Sequence, residues 1–214
     1  MLETPRILQY SQHSLQCKSV RCGQSAGKAL SVLDVSQVPQ RIGHYLAGFT
    51  DGEGSFNVSF RRRGDYAMPW KVSLCFNVSQ RDQVILRVFK EQLKCGTMRS
   101  RADGVWYYEV NTFTAIVENV IPLFDRFGFL SAKKQRDFAK FKQIARLIQE
   151  GRHLTREGID AILAIRRDMN DGGAMRRKYS DDSIIESFEV RESSETARQA
   201  SDVLRLTDDT VRAA

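Results

Sequence analysis

The sequence predicts an α+β fold in which a four-stranded antiparallel sheet is backed by helices. Two observations carry that prediction. Residues 55–78 and 97–111 each contain a pair of runs in which apolar and polar side chains alternate, the period of half-buried strands. Before, between and after those pairs, apolar residues recur at helical spacing instead. The order helix, hairpin, helix, hairpin, helices builds antiparallel neighbours from local connections, which is an α+β pattern.

Each element has its own signal. Pro39 suits the first turn of a helix that runs to about Asp51. Ser55–Phe60 and Lys71–Val78 then alternate as two strands around a basic turn holding Arg61, Arg62 and Arg63. Ser79 is placed to cap the next helix, where Val84, Ile85, Val88, Phe89 and Leu93 share one face. Residues 97–101 and 105–111 form a second hairpin around Ala102, Asp103 and Gly104. A short helix over residues 112–121 follows, Pro122 opens another turn, and Gly128 ends it. Phe138, Phe141, Ala145 and Ile148 mark one face of a long helix, and Ile159, Ile162, Leu163 and Met169 a face of the next.

The 214 residues, 42% of them hydrophobic, suffice for one compact domain with tails. No apolar run reaches membrane-spanning length, so no membrane partner is expected. The formal net charge is +7 and the pI is near 9.4. Its distribution is informative. Arg61 to Arg63, then Lys133, Lys134 and Arg136, then Arg176, Arg177 and Lys178 place the basic excess in the body of the chain. From Ser180 onward acids such as Asp181, Asp182, Glu186 and Glu189 predominate, so residues 179–214 read as an acidic helical tail. A basic body favours a nucleic-acid partner over generic solubility. Residues 1–37, rich in serine and glutamine and without a period, read as a poorly ordered leader or an organellar transit peptide. Cys17, Cys22, Cys75 and Cys95 lack paired metal spacing and are expected as free thiols in a reducing, intracellular compartment.

Residues 45–55, YLAGFTDGEGS, concentrate the chemistry. Ala47, Gly48 and Gly52 lack bulk, and the two glycines are four apart, so their side of a helix allows close approach of a second helix. Gly52 and Gly54 flank Glu53 where a left-handed glycine should end the helix. Glu53 is then presented at a helix base, where a carboxylate beside an exposed carbonyl suits a hard cation. An acidic surface cap is the plainer reading of the same residues.

The string LAGFTDGEG resembles the signature of the LAGLIDADG homing endonucleases, and the resemblance continues in the expected order. SFNVSFRRRGDYAMPWKVSLCFNVSQ looks like that family's DNA-reading hairpin, its second strand ending in a glutamine beside the active site. GTMRSRADGVWYYEV looks like the second hairpin, and FLSAKKQRDF like the segment delivering a catalytic lysine. The match spans residues 38–178, and the motif occurs once. The single-motif branch works as a homodimer. The resemblance therefore implies a saddle-like sheet and two copies meeting through the motif helix at Ala47, Gly48 and Asp51.

By the same resemblance, the function is site-specific cleavage of double-stranded DNA at a long pseudo-palindromic target, with Mg2+ or another divalent cation. Glu53 takes the place of the metal-binding carboxylate, with the Gly52 carbonyl assisting. The family usually has aspartate there, and glutamate retains the charge and the oxygen ligands. Gln80 matches the position that orders water, and Lys133 the position that stabilises charge at the scissile phosphate, with Lys134 one register away. Other members of the family are intron-RNA maturases or DNA-binding regulators without cleavage. The presence of Glu53 argues against the regulator, and residues 180–214 are too short and acidic for its extra helix-turn-helix domain. Nothing in the sequence separates the maturase. Intron-borne frames often begin in frame with upstream sequence, a third reading of residues 1–37, and either a bacterial cytoplasm or an organelle fits.

A sheet covered on one face leaves the other open, and a curved open face can lie along a major groove. Asn57, Ser59, Arg61, Arg63, Tyr66, Lys71, Ser73, Cys75 and Asn77 of the first hairpin are expected on that face or at its tip. Arg99, Arg101, Trp106 and Tyr108 of the second are expected beside them. Arginine bonds guanine and asparagine bonds adenine in bidentate fashion, so this face has the side chains for base reading. Arg176, Arg177 and Lys178 follow Gly172 and Gly173 and are expected on phosphates, which position without specifying sequence.

Overall fold

A helix that passes directly into a strand organises the molecule. In the computed structural model, which describes residues 32–63, 69–169 and 179–188, α1 (Gln40–Glu53) runs into β1 (Gly54–Arg62) with no intervening loop. Then come β2 (Trp70–Gln80), α2 (Gln83–Leu93), β3 (Thr97–Ser100) and β4 (Trp106–Val110). The chain continues through α3 (Phe113–Ala115), α4 (Ile121–Phe127), α5 (Ala132–Gln149) and α6 (Arg156–Arg167). The four strands form one antiparallel sheet in the order β1-β2-β4-β3. The α+β architecture expected from the alternating and helical periods is present.

The helices cover one face of the sheet. Phe56, Phe60, Val72, Leu74, Phe76, Val78 and Val110 are buried on that side. Phe56 sits at the centre, its ring centroid 5.1 to 5.8 Å from those of Phe76, Phe124, Phe129, Phe138 and Phe141. These rings come from both strands of the first hairpin, from α4 and α5 and from the connection between them, so one aromatic cluster ties the sheet to its helical backing.

Three local expectations differ. The motif helix does not end on a left-handed glycine, because Gly54 is extended at φ −82° and ψ 153°. Gly54 is required for space: a Cβ there would lie 2.4 Å from Thr50 Cγ2 and 2.8 Å from the Thr50 carbonyl oxygen. Ser79 does not cap α2, since β2 runs on to Gln80 and the Asp82 carboxylate accepts from Val84 N–H at 2.9 Å. Pro122 does not separate two helices either. The turn before it, Ile116–Val120, widens to a π turn, and the helix continues through Ile121–Phe127 to Gly128. Proline lacks an N–H and crowds the carbonyl four residues back, and the wider turn accommodates both.

The ends of the body also extend beyond expectation. Leu33 is buried and residues 35–37 form a helical turn, so the folded part includes residues assigned above to the leader. Residues 181–188 are helical and dock near the turn end of the first hairpin: Trp70 Nε1 donates to Ser187 Oγ at 2.7 Å, and Ile184 and Phe188 are buried. Asp181 faces Arg166 at 3.5 Å and Arg167 at 3.3 Å.

Candidate functional site

Three elements meet where α1 becomes β1. The Asp51 carboxylate accepts hydrogen bonds from Leu130 N–H at 3.1 Å, Ser131 N–H at 2.9 Å and Ser131 Oγ–H at 2.5 Å. Ser131 in turn caps α5, its Oγ accepting from Lys134 N–H at 3.2 Å. Asp51 thus fastens the end of α1 to the start of α5. Partial burial pushes its pKa up, but the bonds from Ser131 and Leu130 outweigh that and hold the carboxyl below its ordinary range. Its oxygens are occupied inside the protomer, where it fastens the end of the motif helix.

Glu53, two residues on, is exposed and makes no hydrogen bond or ion pair among the described residues. Lys134 reaches the α1–β1 junction, its Nζ donating to the Gly54 carbonyl. Burial lowers the Lys134 pKa, while the charges of Asp137 and Asp51 act in the opposite direction. Lys133, expected in this role, is exposed one position earlier on α5. The neighbouring Lys134 bonds the Gly54 carbonyl at the α1–β1 junction. The Ser131 cap sets the phase of the first turn of α5, in which Lys134 faces Gly54. Gln80 lies at the same end of the sheet: Gly54 pairs with Val78, so Gln80 is two residues past the start of β1. Its Oε1 accepts from Arg81 N–H at 2.8 Å.

The open face of the sheet is polar. Ser55, Asn57, Ser59 and Arg61 of β1 pair with Asn77, Cys75, Ser73 and Lys71 of β2 on one side of the sheet. Arg99 pairs with Tyr107 and Thr97 with Glu109 on that same side. Arg101 stacks over the Tyr107 ring at 4.2 Å, and Arg63 at the end of β1 is half-buried.

Two expected members of this face are on the other side. Tyr108 is completely buried, its hydroxyl donating to the Cys95 carbonyl at 3.0 Å, and burial raises its pKa. Trp106 shares its parity and packs against the core. Three aromatic residues in a row hid the parity of β4, and Val110, apolar and buried, was the residue that fixes it. Tyr107 and Glu109 take the places that sequence reasoning gave to Trp106 and Tyr108.

The motif helix has two differently used sides. Gly43 faces inward, where a Cβ would lie 2.2 Å from the Phe127 ring, so it is the glycine that permits a close helix contact within the protomer. Ala47 is buried as well, which leaves its methyl little surface to offer a second copy. Gly48 and Gly52 face outward, with nothing within 4 Å of an added Cβ, beside the exposed Tyr45. Tyr66, Arg176, Arg177 and Lys178 lie outside the described residues, as do Cys17 and Cys22. No described helix is long and apolar enough to cross a membrane.

Comparison with known proteins agrees with this fold. The chain is 30% identical over 145 residues to "Probable intron-encoded endonuclease 2" of Neurospora crassa, covering 66% of this chain and 32% of that protein. The chain therefore spans about a third of that relative's length. The crystal structure of the homing endonuclease I-TnaI superposes with a TM-score of 0.61 at 28% identity, covering 68% of this chain and 96% of that one. The meganuclease I-SmaMI, crystallised with uncleaveable DNA, gives 0.58 at 29% identity over 61% of this chain and 45% of its own. Residues 46–145 match the family model of the LAGLIDADG endonuclease, from the motif helix through most of α5. Residues 46–145 of this chain are, by that match, a LAGLIDADG endonuclease domain.

Proposed function

We propose that the chain is a site-specific double-strand DNA endonuclease acting as a homodimer with magnesium or a similar divalent cation. The observation that carries this reading is Glu53. An exposed carboxylate without an internal partner sits at the rim of a polar sheet face, with Lys134 and Gln80 at the same end. The similarity to I-TnaI and to DNA-bound I-SmaMI supports DNA as the substrate.

The residues present fit a hard cation. Glu53 is exposed, and at the adjacent Gly52 nothing lies within 4 Å of an added Cβ. No group of three His, Cys, Asp or Glu exists among the described residues of one protomer. A cation held by Glu53 and the Gly52 carbonyl would complete its shell with water, phosphate oxygens and the second copy, which is how magnesium is commonly bound. When bound, it supplies charge neutralisation at a phosphodiester and lowers the pKa of attached water. The chain's own groups do the rest. Lys134 places a half-buried ammonium on the Gly54 carbonyl, next in the chain to Glu53, where a pre-oriented cation would stabilise charge developing on phosphate. Gln80 offers an amide that can orient a water. The outward face of α1, with Gly48 and Gly52, offers the close contact that would bring two Glu53 side chains together, one for each DNA strand.

The test is to incubate purified protein with plasmid carrying the intron-free form of its host gene, with and without magnesium. Discrete magnesium-dependent fragments are expected. Tight binding without cutting, or promotion of intron splicing in a parallel assay, would replace the endonuclease with a DNA regulator or a maturase.

A further inference from the structure

The middle of the open face carries a carboxylate that the basic surroundings do not explain. Among the strand positions of that face, Arg61, Lys71 and Arg99 are cationic, most others are neutral hydrogen-bonding types, and Glu109 alone is acidic. Glu109 forms no ion pair among the described residues. Its one hydrogen bond comes from the Cys75 thiol, which donates to Oε1 at 3.4 Å, while Asn77 Nδ2 lies 4.0 Å from the same sulfur. A thiol is a weak donor, so the carboxylate is positioned without being neutralised and its second oxygen is uncommitted. Burial, and then the Glu109 charge, push the Cys75 pKa up to about 12, which keeps the proton on sulfur and available to Glu109.

An acid facing a polyanion is repelled unless it meets a donor. The major groove presents two amino donors, cytosine N4 and adenine N6. Adenine sets an acceptor, N7, beside its amino group, and that atom opposes the second carboxylate oxygen, whereas cytosine sets no acceptor there. The register also says where along the site the contact falls. Ser55, Asn77, Glu109 and Thr97 form one row across all four strands, next to the Gly54–Val78 pair at the α1–β1 junction. Arg61 and Lys71 lie at the opposite end of the first hairpin.

We propose that Glu109, steadied by Cys75, is a specificity-determining residue that accepts a hydrogen bond from the N4 amino group of a cytosine in the inner part of each half-site. The inference rests on the endonuclease reading above, because it takes the sheet face to lie in a DNA groove. Glu109 reads one base pair, and it excludes bases that present only acceptors at that position.

The experiment is a selection of duplexes from a randomised library by the full chain, for wild type, Glu109→Gln and Glu109→Ala, followed by sequencing. Wild type is expected to require cytosine at one symmetric position per half-site. Glutamine pairs bidentately with adenine, so Glu109→Gln is expected to move that preference from cytosine to adenine and leave the other positions unchanged. Glu109→Ala should flatten it, with a loss of roughly 10- to 100-fold in discrimination. A merely structural carboxylate would lower binding across all positions without a change of base. Selection by wild type with an unaltered profile in both variants overturns the role of Glu109 alone. Absence of any selected sequence with wild type overturns the endonuclease reading itself. Circular dichroism on the near-isosteric Glu109→Gln protein separates misfolding from altered reading.

Discussion

Gly43 and Gly48 sit on opposite sides of α1, and alanine should act in opposite directions at the two. At Gly43 the added methyl carbon would lie 2.2, 2.3 and 2.4 Å from three ring carbons of Phe127. Carbon atoms rest at about 3.5–4.0 Å, so α1 or the ring must move by more than an ångström. The ring has little room, being buried and edge-on to His44 at a centroid distance of 5.2 Å. Overpacking of this kind costs about 1–3 kcal/mol, and alanine's better helix propensity returns about 1 kcal/mol. With an overlap this deep the upper end of the range applies, giving a net loss of roughly 1–2 kcal/mol or a Tm lower by about 2–8 °C. At Gly48 the methyl meets nothing within 4 Å, so the protomer keeps the propensity gain alone. If two copies pack through this side of α1, the same methyl forces the helices apart and weakens the dimer. Thermal denaturation at low protein concentration and sedimentation velocity across a concentration series read the two effects separately. In a Phe127→Ala background, Gly43→Ala should become neutral or stabilising. A Gly43→Ala protein as stable as wild type refutes the packing argument, and a Gly48→Ala protein with an intact dimer refutes the helix-face interface.

Other perturbations follow from the same geometry. Asp51→Ala removes the acceptor for Leu130 and both donors of Ser131 and should cost about 1–2 kcal/mol, discounted for partial exposure. Because the folded-state pKa of Asp51 lies below the ordinary 3.8, its contribution is full above that value and is lost as pH falls through the folded pKa. Wild type and variant should therefore converge in denaturant melts at acid pH, and a gap that widens there would contradict the linkage. Lys134→Met should reduce cleavage by about 100-fold or more, with Lys133→Met affected less. Equal losses in single-turnover assays would return Lys133 to the central role. Tyr108→Phe leaves the buried Cys95 carbonyl without its donor and should lower stability by about 1–2 kcal/mol. Its DNA sequence preference should be unchanged, and an altered preference would place that side chain back on the reading face.

Much of the fold was legible because its signals are local. Strand alternation from Ser55 to Asn77 gave the open face of the first hairpin correctly, since every second residue there is apolar and large. The motif helix was legible from Pro39 and the small residues, and its length was short by only two residues. What failed depended on contacts between elements. No local pattern says that Gly43, not Gly48 or Gly52, meets Phe127, because that residue is far along the chain in α4. The parity of β4 needed the buried Tyr108 hydroxyl to find the Cys95 carbonyl, which makes a polar tip look solvent-facing in sequence. The step from Lys133 to Lys134 is one residue, yet on a helix it is a large rotation. Only Asp51 bonded to Ser131 fixes the start of α5 and so selects the lysine that faces Gly54.

Glu53 is where the account is most exposed. Glu53→Gln removes one charge and keeps size and hydrogen bonding, so it separates cation binding from folding and from DNA contact. Wild type and variant should be compared on one target fragment, measuring affinity by gel shift in calcium and cutting in magnesium. The variant is expected to bind within a few-fold of wild type and to show no detectable cleavage. Cleavage by Glu53→Gln at the wild-type rate would contradict the role of Glu53 and move the reaction to groups elsewhere in the chain.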